Sequence, residues 1–412
     1  MIDEFSDIAQ LPGGARAAVR QHLNLAESDA LRVAFIPGPG DVGGTFEHWR
    51  ANRHEPRVPI IAYSLMFYEL MKRLDAECLT ISLHALGDVA RSSRNQFHFE
   101  QIVPIAAAGR WSYFWSQHQF AKFITSIVDR FDPHIVVSST HNPPSSWRQL
   151  SKNRKLVLTA HNTFWPQGGP PNGLKGRLRQ ALLAARAGAL DAAICTSHEC
   201  ARQVSLLTND QIPTEVECPQ VVARYPIESR AEVRNLLFLG RIEEPKGVFL
   251  LLDVFEHIAG QYPELRLTFA GDGWATQQLE ERLAKSRFSH RISFLGRVDS
   301  HGVHAAIAAC DLVICPTMTS FNEGLAVVGF EAAAHGIPTL LSSVVPAAEL
   351  LGNSCAVFKA DDAASLRVRL YELIDHPEVY RDHCTATAIV REMIYDRSLS
   401  WASGLYRAIM AS

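Results

Sequence analysis

Glu323 and Glu331 stand with seven residues between them in a stretch that is otherwise apolar or small, GLAVVGF followed by AAAHGIP. The run reads as a helix of residues 325–335 between strands at 311–315 and 337–341, with Gly336 and Pro338 marking its end. An unpartnered carboxylate inside a buried helix is expensive, so Glu331 calls for a partner or a ligand. Glu323, at the helix mouth, is either a charge favourable to the helix dipole or a ligand contact, and Glu331 is either half of a structural ion pair or an acceptor for ligand hydroxyls. Unbonded amides at Gly324, Leu325 and Ala326 would attract an anion beside them. Anion plus hydroxyls describes a nucleotide or a sugar phosphate.

A second group of charges lies upstream. In FLGRIEEPKG, Arg241 and Lys246 fall in the loop leaving a strand, where a bidentate guanidinium and a point-charge ammonium suit a diphosphate. Taken alone, they would equally pair with Glu243 and Glu244. AGDG at 270–273 and FLGRV at 294–298 are two more strand-to-helix turns with accessible backbone, so several loops converge on one edge. In the first half, His161 ends a strand in LVLTAHN, as a ligand contact or a structural residue, and Gly43 and Gly44 follow PGPGDV, where glycine lets backbone approach a ligand. The latter loop lacks the G-x-G-x-x-G spacing of a dinucleotide fingerprint.

The elements that must position these residues alternate. Strands are expected at 31–36, 78–83, 135–138, 155–160 and 192–196, then at 235–240, 265–271, 291–295, 312–315, 337–341 and 355–358, with helical segments such as 61–74 and 114–131 between them. Residues 1–30 read as one peripheral helical segment. The pattern is α/β, with two doubly wound parallel sheets facing across a cleft. The expected division is 1–224 on the acceptor side, 225–385 on the donor side, and a helical segment 386–412 crossing back to the first domain.

Composition sets the outer limits. With 412 residues, 47% hydrophobic and 20% charged, the chain has the makeup of a folded protein of two or three domains. No run approaches the ~20 apolar residues of a membrane span, and the acidic start is unlike a secretory signal, so the expected location is cytoplasmic. Eight cysteines without a CxxC pair read as reduced core residues. His301 and His304 lack a third ligand nearby and read as a surface feature of a helix start, so no metal is expected. The net charge of −3 conceals a run, 133–190, with eight Lys or Arg and no acid. Within it, LKGRLRQALLAARAGAL at 174–190 forms a helix that either packs on the core with a solvated face or lies on an anionic membrane. Aromatic interleaving is absent and the overall charge is not basic, which argues against nucleic acid.

Together, LGRIEEPKG, AGDG, FLGRV and NEGLAVVGFE followed by AAAHGIP resemble the large family of retaining nucleotide-sugar glycosyltransferases of the GT-B fold, which includes glycogen-synthase and sucrose-synthase relatives and bacterial polysaccharide and lipid glycosyltransferases (glycosyltransferase family 4 type). The resemblance is strongest over 235–360; in the first half GDVGG, TAHN and AAICTSHE keep the expected order. It implies that Arg241 and Lys246 bind the donor diphosphate with the backbone of Gly324 and Leu325. It also implies that Glu323 meets the donor sugar and Glu331 the ribose, while Val298 meets the base through its backbone. Gly43 and Gly44 would approach the phosphate or sugar, and His161 would sit near the reacting carbon as a positioning group. Glu323, His161, Arg241 and Lys246 are thus the implied catalytic set.

Two departures stand out: SSVVPAAE replaces the frequent Gly-Gly after the strand that follows the second glutamate, and ECPQVVARY replaces the usual Pro-Asn-Gly between domains. Asp-x-Asp is absent, so fixed cations rather than a metal are expected to hold the diphosphate.

The resemblance implies a hexosyl- or N-acetylhexosaminyl-transferase using a UDP- or GDP-sugar as co-substrate, with no permanently bound cofactor. The acceptor would be a glycan or lipid-linked sugar, as in polysaccharide biosynthesis, with peripheral attachment at the inner face of a membrane. Two alternatives share the architecture: a nucleotide-sugar epimerase, and a non-catalytic nucleotide-sugar-binding protein.

Overall fold

The computed structural model describes residues 5, 7–83, 96–103, 109–167 and 173–411. Two parallel sheets organise them. The first comprises β1 (Leu31–Ile36), β2 (Ala76–Ser82), β3 (Phe97–Gln101), β4 (Ile135–Ser139), β5 (Lys155–Ala160), β6 (Ala192–Cys195) and β7 (Thr214–Val216), in the order β3-β2-β1-β4-β5-β6-β7. The second comprises β8 (Asn235–Leu239), β9 (Arg266–Ala270), β10 (Ile292–Phe294), β11 (Leu312–Cys315), β12 (Thr339–Ser342) and β13 (Cys355–Phe358), in the order β10-β9-β8-β11-β12-β13. Strand order reverses at β1/β4, where Phe35 pairs with Val137, and at β8/β11, where Leu237 pairs with Val313. Crevices at the carboxyl ends of such switch points are where α/β sheets bind ligands.

The central strands are buried along their whole length, as parallel strands covered by helices on both faces must be. On one face of the first sheet, Leu65, Leu70 and Leu405 pack with Phe35 and Val137; on the other, Ile124, Trp147 and Leu183 pack with Val136 and Leu158. The second sheet repeats the scheme, with Leu251, Phe255 and Leu370 on one face and Phe330, Ile337 and Leu351 on the other.

Several expectations change. The helix in residues 1–30 covers only Ala15–His22, ended by Asn24 in left-handed backbone at φ 55°. The segment is not peripheral, because Phe5 and Ile8 are buried in the first core. β3 and β7 were not anticipated; both are edge strands with half-exposed side chains, so neither carries an apolar run. The boundary at 385/386 falls inside the helix Pro377–Tyr395, whose Tyr380 and Ile394 pack under the second sheet.

The chain crosses back over residues 396–400, and the helix Trp401–Met410 then buries Trp401, Leu405 and Ile409 in the first core. The two crossings touch: Cys218 N–H donates to the Leu399 carbonyl at 2.9 Å, and Arg397 donates to Gln220 Oε1 and the Val221 carbonyl, both at 3.1 Å.

Candidate active site

A cavity of about 440 Å³ lies at the β8/β11 switch point and reaches across to the first sheet. Arg241, Lys246, Glu323, Gly324, Leu325 and Glu331 all line it, and His161 enters from the opposite side. Lys246 Nζ donates to Glu323 Oε2 at 2.5 Å, and Thr317 Oγ1 donates to the same oxygen at 3.1 Å. Phe321 supplies one ring to both cations, with Lys246 Nζ 4.2 Å and the Arg241 guanidinium carbon 5.1 Å from its centroid. Arg241 is half-exposed and also pairs with Glu243 at 2.9 Å. The cations thus lie at graded depth, Lys246 nearly enclosed and Arg241 at the mouth.

The helix after β11 differs from its expected form. It runs from Val328 to Ala334, so Glu323 lies in a turn five residues ahead of it and Glu331 is in its first turn. Ala326 takes a left-handed φ of 68°, which breaks the helical path before Val328. The turn is pressed against the first sheet: a Cβ on Gly324 would lie 1.9 Å from the His161 carbonyl oxygen, so only glycine fits. The amides of Gly324, Leu325 and Ala326 donate to no backbone carbonyl among the described residues, which leaves three N–H groups along one wall.

Glu331 is 4% exposed, and its carboxylate forms no hydrogen bond or ion pair among the described residues. Of the two readings left open for it, the structural ion pair finds no partner among the described residues. Burial alone pushes its carboxyl up to about 8. Such a group is left for something outside the protein to satisfy.

On the first sheet, His161 follows β5 and accepts or donates at Nε2 with Thr159 Oγ1 at 2.9 Å; Thr159 Oγ1 also accepts from Trp401 Nε1 at 3.1 Å. The Tyr63 ring lies over the imidazole at 4.5 Å between centroids. Burial, with His141 adding to it, holds His161 down to about 3, so the ring is neutral and fixed rather than a proton donor near pH 7.

Other expected residues lie elsewhere. Gly43 and Gly44 line neither this cavity nor its neighbour; Gly43 is buried in the helix Val42–Arg50, and the Gly44 amide donates to the capping Asp41 Oδ1 at 2.9 Å. Val298 is likewise absent from the cavity wall, while Arg297 beside it faces the neighbouring cavity.

That neighbour, about 680 Å³, is bounded by the loop after β1, Arg57, Tyr63, His161 and Arg297. Tyr63 and Arg57 carried no sequence signal, since neither belongs to a Gly-rich turn or a strand end. Among the described residues no cluster of three or more His, Cys, Asp or Glu is placed to hold a metal ion. His301 is exposed at the start of its helix, while His304 is partly buried and bonds His335 at 3.1 Å, with Tyr225 stacked on both.

Two family descriptions match the chain in succession: Glycosyltransferase Family 4 over residues 65–213 and Glycosyl transferases group 1 over residues 224–389. The chain belongs to the GT-B-fold glycosyltransferases of the family 4 type. This family 4 member is 29% identical over 163 residues to the glycogen synthase of Mycobacterium tuberculosis, a match covering 38% of each chain. It is 29% identical over 169 residues to the phosphatidyl-myo-inositol mannosyltransferase of Mycobacterium leprae, covering 40% of this chain and 44% of the relative. The matches thus span less than half of either relative. Among solved structures, the Anabaena protein HepE in complex with UDP superposes with a TM-score of 0.60 at 14% identity, over 88% of this chain and 96% of that one, and shows the shared fold.

Proposed function

We propose that the protein transfers a hexosyl or N-acetylhexosaminyl group from a nucleoside-diphosphate sugar to an acceptor hydroxyl with retention at the anomeric carbon and without a metal. The observation that carries this reading is the single cavity holding Lys246, Glu323 and Glu331 beside three unbonded amides. A donor diphosphate would draw Lys246 from Glu323 and take the amides of Gly324 and Leu325, with Arg241 closing from the mouth. Glu323, released from its ion pair, would meet the donor-sugar hydroxyls; Glu331 would accept from the ribose.

As the sugar–phosphate bond breaks and the bond to the acceptor oxygen forms, the acceptor proton passes to the leaving diphosphate oxygen, whose charge the fixed donors stabilise. His161 positions the sugar. Residues 1–224 form the acceptor side, and the donor side starts at 225 and includes the helix Pro377–Tyr395. UDP in the HepE complex supports a uridine donor, with GDP the other base to test.

A thermal-shift screen of UDP, GDP and their sugars identifies the donor, since ligand binding raises apparent stability. Transfer is then assayed with Lys246→Ala and Glu323→Ala; wild-type rates in both would sink the assignment. Donor turnover without acceptor would point to an epimerase instead, and binding without turnover to a non-catalytic protein.

The acceptor is proposed to be a glycan or lipid-linked sugar reached at an anionic membrane surface from the cytoplasmic side. What supports attachment is the helix Leu174–Ala187, where Leu174, Leu178 and Leu182 are 86%, 61% and 51% exposed beside Lys175, Arg177 and Arg179. The helix Arg110–Phe131 packs on the same sheet face and exposes Tyr113 and Trp115 near its start. Basic charge beside exposed leucines and aromatics suits an anionic bilayer surface. No described helix is long and apolar enough to cross a membrane. Co-sedimentation with anionic but not neutral liposomes is expected, and absence from both pellets would end the idea.

A further inference from the structure

We infer that the 680 Å³ cavity beside the donor site is an acceptor subsite that selects a neutral, polyhydroxylated sugar terminus and turns away a phosphate monoester. This rests on the transferase reading and adds the charge class of its acceptor. The two cavities share Tyr63 and His161, so a molecule in the second has its end against the donor sugar.

One cation on the wall of this second cavity, Arg57, is already occupied. Arg57 donates from Nε and Nη2 to Glu55 at 2.6 and 2.8 Å and from Nη1 to Asp41 at 2.6 Å. Glu55 is 1% exposed; burial pushes its carboxyl up, but the hydrogen bonds and charge of Arg57 outweigh that and hold it below the usual range. Two carboxylates therefore face one guanidinium. The other cation on the wall, Arg297, lies 3.9 Å from Asp272. Among the described residues lining the cavity, no cation is without a carboxylate.

The geometry of the loop protects the arrangement. A Cβ on Gly44 would come within 2.6 Å of both Asp41 Oδ2 and Arg57 Nη2, so glycine is what lets the pair close over the first helical turn.

A phosphate entering here would meet Asp41 as a like charge and would have to take Arg57 from a carboxylate that already holds it. Sugar hydroxyls face no such conflict. They can donate to Asp41 and accept from the guanidinium N–H groups that the three bonds leave over, while the ring packs on Tyr63. A lipid or diphosphate tail on the acceptor would lie outside the cavity.

The test is saturation-transfer NMR on the full chain with saturating nucleotide, using methyl α-glucopyranoside against glucose 6-phosphate and myo-inositol against inositol 1-phosphate. In the wild type at least one neutral member is expected to bind about tenfold more tightly than its phosphate. Asp41→Asn, which leaves the guanidinium with one carboxylate, is expected to narrow or reverse that ratio while the nucleotide thermal shift stays as in the wild type. Tighter binding of the phosphates to the wild type, binding of neither class, or an unchanged ratio in Asp41→Asn overturns the inference. Loss of nucleotide binding by the wild type would instead overturn the transferase reading. Should Asp41→Asn fail to fold, the wild-type ratio alone decides.

Discussion

At the switch point of the second sheet, Lys246 holds one carboxylate, Glu323, above a shared aromatic ring; at that of the first, Arg57 is held by two, Asp41 and Glu55. The strand orders are the same and the crevices adjoin, yet the ion pairs differ in kind. In the proposed reading, Lys246–Glu323 is a one-to-one pair that a diphosphate would open, giving a cation to the ligand and a carboxylate to its sugar. Arg57 sits in a closed triad that a ligand can decorate but not cheaply break. One edge is poised for charge to arrive, and the other is already balanced against it.

The contrast is tested most strongly at Lys246. Lys246→Ala is expected to lower kcat/KM by about 10³-fold, the scale of losing one preorganised donor, beside a cost of roughly 1–3 kcal/mol in urea unfolding from leaving Glu323 without its cation. A loss below tenfold would remove the poised pair from the reaction.

Glu331 is next, through pH. Its carboxyl stands at about 8 in the folded chain against 4.5 in the unfolded one, so the folded state keeps a proton that the unfolded state releases. Stability from this group therefore falls as pH rises from about 4.5 and is fully lost above about 8; Glu217, raised to about 8 by burial, acts the same way. His161 at about 3 and His335 at about 4 work from the other side, losing stability as pH drops below 6.5. Maximum stability is expected between these limits. Glu331→Gln should be more stable than the wild type at pH 8.5, by on the order of 5 kcal/mol, and equal to it near pH 4.5. The same variant should bind nucleotide about tenfold less tightly, a charged hydrogen bond having been lost. Equal pH profiles would mean that Glu331 has a partner after all.

On the balanced edge, Arg57→Gln should cost roughly 2–3 kcal/mol in urea unfolding, because Glu55 is left buried without its cation, while nucleotide affinity stays unchanged. A drop in nucleotide affinity would erase the distinction between the two edges. The smallest effect belongs to a pair that spans the cleft rim, Arg202–Glu349 at 2.7 Å, both partners well exposed. Glu349→Ala should change stability by less than about 0.5 kcal/mol, as screened surface pairs do, because Arg202 keeps its bond to Glu199 at 2.8 Å.

The same two edges differ in how much of them the sequence discloses. The second sheet's strands are apolar runs bounded by Gly and Pro, and its cations and glutamates follow strand ends directly, so local rules place them. What local rules miss there is the helix start: the turn at Gly324 is set by the His161 carbonyl, from a residue more than 160 positions away. At the first edge the gap is wider. Asp41 announces itself only as a helix cap, Arg57 lies in an irregular loop, and their meeting depends on tertiary closure over Gly44. The edge strands β3 and β7 escape for a related reason, since half-exposed strands show no continuous apolar signal.

The paired crossings at 217–221 and 396–400 bear on how the two halves are held. One connection would let the two halves swivel freely. Two, laid side by side and bonded to each other, act like the pins of a door: they define a line about which the halves swing and resist twisting across it. Because the second pin ends in Trp401, which bonds the Thr159 hydroxyl that also bonds His161, the connection between the halves is tied directly to the imidazole on the cavity wall.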